Sequence, residues 1–347
     1  MQKLGNIALA ALRMLRSALP RGAEVNAVDL RPDSLVRISV PQTPPLLLQL
    51  DGPEPRGRPG DAQAPLHVAV FRSLPHRERE RLRREGTSFI DLSGAVFLQA
   101  PGFYLDRSDI PSAHDPVRGK KGADPYADRG SLVLRALLAA PRAQRWSTQM
   151  LARDADVDTA TASRVVRELR RRELVRDETP GQGRRSSIWI PDARKLIEDW
   201  ARTYSWEDNL QLRTAAPVGT PRHFIRRLGK LLGTVRWALT LHAGASELAP
   251  HAAFETIHAY IDPDVDLAEL AFEQGWEVSP SGRLCLMHPA YAESVWFQAR
   301  SVQGALVVSP LQLVLDLWHY PVRGREQAQH LIETVLEPIW DADAEPD

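Results

Sequence analysis

A single cysteine, Cys285, among 347 residues leaves no disulfide framework and no thiolate set for a zinc site, so the expected compartment is a reducing cytoplasm. Cys285 itself reads as a small buried apolar residue, inert rather than nucleophilic. Long apolar runs are missing as well. Residues 2–19 place Lys3 ahead of an apolar stretch, but Arg13 and Arg16 interrupt it, whereas a secretory core is uninterrupted. The stretch therefore reads as an amphipathic first helix. Nothing else approaches the roughly twenty apolar residues of a membrane span, and a soluble protein with no membrane partner is expected. Net charge is absent too, with 44 Lys and Arg against 44 Asp and Glu. No internal repeat is evident. What remains is ordinary globular composition, 43% hydrophobic and 25% charged, in a chain long enough for two or three domains.

The charge balance is not local. From Arg129 to Lys195 fifteen Arg and Lys face eight Asp and Glu, and from Ala245 to the end four face seventeen. A polyanion is expected to meet the middle of the chain and to be repelled by its C-terminal face. Within the basic stretch, residues 131–191 carry the pattern of a winged helix-turn-helix. A helix over SLVLRALLAAP is followed by a second that opens at Ser147 and Thr148 (STQMLARDA), and by a tight turn at Asp156 to Asp158. A third helix runs from Thr159 to about Glu173, and LVRDETPGQGRRSSIWI then forms two strands flanking a loop. Ser147 is an N-cap candidate, and Met150, Leu151 and Val157 are expected in the small core.

Along the third helix Ala162, Val165, Val166 and Leu169 recur at three- and four-residue spacing and form its buried stripe. Thr159, Thr161, Ser163, Arg164, Arg167, Arg170 and Arg171 are left outside, short and polar near the N-terminus and basic further on. A helix entering the major groove needs that order. Its first turns, with Thr159, Thr161, Ser163 and Arg164, read bases or position the helix, while Arg167, Arg170 and Arg171 neutralise phosphates. Ser147 and Thr148 complete the candidate DNA-binding set. Pro180, Gly181 and Gly183 supply the hairpin turn, with Arg184 and Arg185 at a tip expected along the backbone or minor groove. The same residues also suit a winged helix used only for protein contacts, its arginines a solvated face. The segment resembles MarR-like and related winged-helix regulators, which implies double-stranded DNA as partner.

The expected organisation is multidomain, α/β and α+β: a small α/β domain over 1–110, a linker over 111–129, the winged helix over 130–213 and an α/β domain over 214–347. In the first, strands are expected at Leu35 to Val40, Leu46 to Leu50, Val68 to Phe71, Phe89 to Asp91, Val96 to Gln99 and Phe103 to Leu105, with a helix from Pro75 to Glu85 and a loop from Gly52 to Pro65. In the last, strands are expected at Val235 to Leu241, Phe254 to Ile261 and Leu284 to Met287. Helices are expected at Pro221 to Leu232, Leu267 to Gly275 and Arg325 to Leu336. The basic stripe Arg222, Arg226, Arg227 and Lys230 either extends a DNA footprint or solvates its helix.

FIDLSGAVFLQAPGFYLDR (Phe89 to Arg107) resembles the restriction-endonuclease-like N-terminal region of bacterial regulators. Relatives with nuclease activity carry Glu, one residue, then Lys on a strand, where they hold a metal. Here LLLQLDG places Gln49 and Asp51 instead, so the scaffold reads as degenerate; Asp29, Asp33 and Asp51 are the acids left for a metal, and caps of turns are their ordinary role. TLHAGASELAP (Thr240 to Pro250) and VVSPLQLVLDLWHYPVRGREQAQHL (Val307 to Leu331) resemble the AbiEi-family antitoxins of type IV toxin-antitoxin systems. In the second stretch Ser309 caps a helix that begins at Pro310, has the stripe Leu311, Leu315 and Trp318, and turns at Arg323 and Gly324 into the last helix. Such domains are distantly nucleotidyltransferase-like, which makes Gly244, Ala245 and Ser246 a candidate phosphate turn. His258 and Tyr260 stand where the acids are expected, and Asp262, Asp264 and Asp266 read as a loop. His242, His251 and His258 match no zinc spacing.

The resemblance implies a cytoplasmic, non-catalytic regulator with no cofactor and no metal, a homodimer or cooperative pair that represses its own toxin-gene operon at inverted repeats. AbiEi antitoxins usually begin with the winged helix, whereas an α/β domain precedes it here. The alternatives are an accessory protein of repair or plasmid maintenance that binds DNA structure, and a metal-dependent nuclease targeted by the winged helix.

Overall fold

The computed structural model describes residues 4–20, 23–29, 34–41, 43–51, 64–108, 124–178 and 187–342. Two compact units divide the chain without following its order: one takes residues 1–117, 210–218 and 263–287, the other 118–209, 219–262 and 288–347. Apart from 210–213, the residues read from the sequence as a winged helix thus share a unit with most of the C-terminal region.

The first unit opens with α1 (Leu4–Ala18), whose Ala8, Ala11, Leu12, Leu15 and Ala18 are buried at amphipathic spacing. Seven strands follow, β1 (Glu24–Asp29), β2 (Ser34–Ser39), β3 (Leu46–Asp51), β4 (Leu66–Phe71), β5 (Phe89–Asp91), β6 (Ala95–Ala100) and β7 (Phe103–Arg107), with α2 (His76–Arg84) between β4 and β5. They lie in one sheet in sequence order. Only β3/β4 and β4/β5 pair in parallel, and α2 provides the crossover that the second of these pairs requires. Leu48, Val68, Phe89, Ile90, Val96 and Leu98 are buried in this sheet. Sequence patterning locates every strand but β1, whose EVNAVD mixes two β-branched residues with Asn and Asp, both poor strand formers.

The second unit begins with α3 (Asp128–Leu138), α4 (Thr148–Asp154), α5 (Thr159–Arg171), the antiparallel pair β8 (Arg176–Glu178) and β9 (Ser187–Trp189), and α6 (Ala193–Thr203). The last residues of the expected linker, Asp128 and Arg129, are already helical. After β10 (Leu210–Thr214) in the first unit, the second resumes with α7 (Pro221–Leu232), β11 (Trp237–Thr240), α8 (Leu241–Leu248) and β12 (Ile257–Ile261). α9 (Leu267–Glu273) and, but for its last residue, β13 (Leu284–His288) belong to the first unit; β14 (Arg300–Val302), β15 (Ala305–Val307), α10 (Pro310–Trp318), α11 (Gly324–Leu331) and α12 (Glu337–Trp340) belong to the second. There β11 pairs antiparallel with β12 and parallel with β15, and β15 pairs antiparallel with β14.

Three expectations about this region need correction. The strand drawn to Leu241 ends at Thr240, because Leu241, at φ 50°, begins α8. Gly244, Ala245 and Ser246 are therefore helical, not a phosphate turn. Glycine is needed at 244 because a Cβ there would lie 2.8 Å from the Leu313 side chain and 2.9 Å from the Leu239 carbonyl. α10 is capped as expected, Ser309 Oγ accepting from the Gln312 N–H at 3.3 Å, but every residue from Pro310 to Trp318 is buried rather than one stripe. A helix apolar nearly all round belongs in the middle of a core. The turn into α11 has Arg323 in the left-handed region at φ 51°, and at Gly324 a Cβ would fall 2.4 Å from the Leu317 carbonyl oxygen. Among the described residues no helix is long and apolar enough to cross a membrane.

Candidate nucleic-acid interface

Two side-chain caps set the α4–α5 pair. Ser147 Oγ accepts from the Met150 N–H at 3.1 Å and starts α4. Asp158 starts α5: one carboxylate oxygen accepts from the Thr161 N–H and the other from the Thr161 hydroxyl, each at 2.7 Å. These bonds satisfy an orphan donor of the first turn and hold the Asp158 carboxyl below its ordinary pKa, the Thr161 hydroxyl contributing most. The turn between the helices passes through Asp156 at φ 51°. Leu151 of α4 is buried, while Met150 and, in the turn, Val157 are only half-buried. Ala162, Val165, Val166 and Leu169 form the buried side of α5, as their spacing predicts.

The opposite side of α5 exposes Thr159, Ser163, Arg164, Arg167, Arg170 and Arg171, with Thr161 half-buried; Ser147 and Thr148 are half-buried at the start of α4. The arginines fall into two classes. Arg164 donates to the Thr161 hydroxyl at 2.9 Å and adds to the lowering of the Asp158 carboxyl without a direct ion pair among the described residues, and Arg167 has no hydrogen bond or ion pair among the described residues. Arg170 instead pairs with Asp177 of β8 at 2.6 Å, tying the end of α5 to the hairpin. Arg171 pairs with Glu168 at 2.6 Å, and half-buried Arg172 pairs with Glu168 at 2.9 Å while lying over the Tyr126 ring. Hydrogen bonds from Arg171 first, and then Arg172, hold the Glu168 carboxyl down at about 2.

The β8–β9 hairpin is extended by Trp146, which exchanges backbone hydrogen bonds with Ile188 at 2.9 and 2.7 Å. Arg145 lies over the Trp189 ring at 5.2 Å and pairs with Glu178. Arg184 and Arg185 lie outside the described residues. Sequence reasoning passed over Arg176, exposed on β8 and without an ion pair among the described residues, because a three-residue strand has no alternation to read.

It also passed over the polar centre beneath these helices. Arg135 of α3 is fully buried. Its Nη2 donates to Gln312 of α10 at 2.6 Å, its Cζ lies 5.0 Å from the centre of the Trp200 ring, and its Nε and Nη1 have no hydrogen-bond partner among the described residues. Gln312 donates in turn to Asp316 at 2.9 Å, and Asp316, also fully buried, accepts from Tyr204 at 2.7 Å, from Tyr260 at 2.8 Å and from Thr240. Burial pushes the Asp316 carboxyl above its ordinary pKa, against the lowering effect of those four bonds. The visible signal is Arg135 as the single charge within the apolar run Leu132 to Leu138.

The residues considered for metals lie apart. His242 and His258 each meet the Tyr320 ring edge-on, whereas His251 stacks on His330. Asp51 is buried against His67, 2.8 Å away; Asp33 and the side chain of Asp29 lie outside the described residues. Gln49, the neighbour of Asp51 on β3, is half-buried, and Asp266 caps α9. Among the described residues no three His, Cys, Asp or Glu gather as a metal site would require.

No curated protein and no solved structure matches the chain. One family model does, over residues 189–337, described as transcriptional regulator, AbiEi antitoxin, type IV TA system. That span contains both C-terminal stretches on which the resemblance rests and begins at the last strand of the β8–β9 hairpin. The C-terminal region of the chain, residues 189–337, is AbiEi-antitoxin-like.

Proposed function

We propose that the protein is a DNA-binding transcriptional regulator of the antitoxin type, in which α3, α4, α5 and the β8–β9 hairpin act as a winged helix and α5 enters the major groove. The observation that carries this reading is the exposed side of α5. Thr159 and Ser163 stand there beside Arg164 and Arg167, neither of which is held in a direct ion pair among the described residues. Either guanidinium can be given to a phosphate or a guanine edge without breaking an ion pair. Arg170 and Arg171 exchange exposed carboxylate partners for phosphates, a small cost because such pairs are worth about 0–1 kcal/mol. The match of residues 189–337 to a family described as antitoxin regulators supports the same reading, and with it a non-catalytic role in the cytoplasm. Autorepression at an inverted repeat near a toxin gene then calls for two copies, one per half-site.

The test is a salt-titrated binding assay of the full chain on its own promoter fragment and on unrelated duplex, comparing wild type with Arg164→Ala/Arg167→Ala. The expected promoter preference is on the order of a thousandfold. The double variant is expected to bind more weakly, with a salt slope shallower by about 0.9 for each of the two arginines that contacts a phosphate. Equal binding to all duplexes, or preference for ends and forks, refutes the regulator and points to the accessory role; cleavage in a magnesium or manganese lane points to a nuclease.

A further inference from the structure

The second unit carries another cationic surface, on α7. Its inner side buries Phe224, Ile225, Leu228 and Leu232, and its outer side exposes Arg222, Arg226, Arg227 and Lys230. No acidic residue occurs from Asn209 to Ser246, although the chain beyond is strongly acidic. Other arginine-rich helices neutralise themselves within a turn: Glu78 pairs with Arg81 and Glu80 with Arg83 in α2, Glu168 with Arg171 in α5, and Glu198 with Arg194 in α6. α7 has no such carboxylate of its own. Arg226 is anchored from outside, to Glu247 at 3.1 Å and to the Gln303 side chain at 2.9 Å. Arg222, Arg227 and Lys230 have no ion pair or hydrogen bond among the described residues. Like charges one turn apart, Arg222 and Arg226, then Arg226 and Lys230, work against the helix.

We infer that α7 is a second contact surface for duplex DNA, gripping backbone phosphates through Arg222, Arg227 and Lys230. Arg226 keeps the helix seated instead. The occupant follows from the chemistry. Three unpaired, solvated cations on one helical side give little to folding, whereas a duplex rewards each phosphate they neutralise by releasing condensed counterions. Glu247 is already spent on Arg226, and Arg222, Arg227 and Lys230 are left without a carboxylate partner among the described residues. Contacts of this kind position the protein and carry no sequence information. The inference rests on the reading of α5 as the groove-entering helix, since α7 supplies grip to a complex whose specificity comes from elsewhere.

The experiment is fluorescence anisotropy of the full chain on promoter and unrelated duplexes across a salt series, with the triple variant Arg222→Ala/Arg227→Ala/Lys230→Ala set beside Arg164→Ala/Arg167→Ala. The triple variant is expected to lower the slope of log affinity against log salt by roughly three, about 0.9 per contact, and to weaken both duplexes by the same factor. The double variant Arg222→Lys/Arg227→Lys keeps the charge and is expected to keep the slope. A triple variant with an unchanged slope, beside an α5 variant with a shallower one, overturns the inference and leaves the α5 reading standing. The reverse pattern overturns the α5 reading and keeps α7. All three positions are exposed, so the unfolding midpoint of the triple variant is expected to match wild type, which separates lost contacts from lost fold.

Discussion

Replacing Asp316 by alanine takes the acceptor away from four buried donors, the hydroxyls of Tyr204, Tyr260 and Thr240 and the amide of Gln312. The Tyr204 and Tyr260 oxygens lie 3.4 Å apart, and Gln312 also donates to Tyr204 at 2.9 Å, so those three can re-pair in part. Thr240 has no such route. Each donor left without a partner costs about 1–3 kcal/mol, and the buried Arg135 guanidinium loses one of the two carboxylates that favour its charge, Asp128 being the other. Together these place Asp316→Ala at about 3–5 kcal/mol of destabilisation, the range for breaking a buried ionic cluster from one side. Asp316→Asn keeps an oxygen for three donors and turns an amide toward the Thr240 hydroxyl, which can accept; its expected cost is about 1–2 kcal/mol.

Hydrogen exchange of the full chain, followed peptide by peptide, reads the two units separately, and denaturant titration supplies the scale. Protection of α10 and α3 is expected to fall for the alanine variant and to fall less for asparagine. A loss below about 1 kcal/mol for alanine, or a larger loss for asparagine, would show that the cluster is not the buried charged centre its geometry implies. The pH dependence gives an independent check. Because burial raises the folded pKa of Asp316 above 3.8, native protein takes up a proton before unfolded chain does as pH falls. Wild type therefore gains stability relative to Asp316→Asn as pH drops through the raised value, and the gain levels off below 3.8.

Glu168 has the opposite sign: its folded value near 2, against an ordinary 4.5, contributes stability that is complete above 4.5 and lost as pH falls toward 2. Melting temperatures of Glu168→Gln across that window are expected to show a flatter acid limb than wild type, by a modest margin since the pair is exposed; parallel curves would rule the contribution out. Asp158→Ala removes the cap of α5 and is expected to cost about 1 kcal/mol in denaturant titration, with Asp158→Ser recovering most of it. At Gly324 even alanine places a Cβ 2.4 Å from the Leu317 oxygen and 2.6 Å from the Tyr320 Cβ. The α10–α11 turn must then shift, at a cost of roughly 2–3 kcal/mol, and a neutral Gly324→Ala would mean the approach is looser than drawn.

How much was legible in the sequence depends on how far each signal extends. α5 announces itself over about two turns, because Ala162, Val165, Val166 and Leu169 repeat long enough to fix both the helix and its outer side. β14 and β15 have three residues each and no alternation to detect. α10 misleads in another way: Leu311, Leu315 and Trp318 look like one stripe, yet Leu313, Val314 and Leu317 are buried as well, and only the surrounding elements reveal that the helix is central. The polar cluster was hidden because its members are single residues in apolar runs, and Arg135 and Gln312 are 177 residues apart in sequence. Nothing local distinguishes Asp316 from an exposed aspartate. The interleaving of the two units is likewise a property of distant contacts, which periodicity does not carry.

Within the second unit, those distant contacts bear on how the proposed DNA-binding helices are held. α3, which packs on α4 and α5, is bound to the C-terminal part of the chain at both ends of its length, its first residue Asp128 accepting from the Glu293 and Ser294 N–H groups at 3.0 and 2.8 Å. Arg135 reaches Gln312 in the middle of the core. Past its C-terminus, the Trp340 indole donates to the Leu138 carbonyl at 2.8 Å, and the Arg142 N–H donates to the Trp340 carbonyl at 2.9 Å. α6 adds Arg194, which pairs with Glu337 at 2.9 Å. A helix fastened by buried bonds on this scale moves with its core, whereas a domain on a flexible linker does not. The direction of α5 is therefore set by the packing of α10 and α12, and loosening that packing is expected to lower DNA affinity even where no phosphate contact is touched. Asp316→Asn tests the point: folded protein with an intact α5 surface and weakened binding is the outcome that a rigid mount requires, and unchanged binding would make the buried cluster a matter of stability alone.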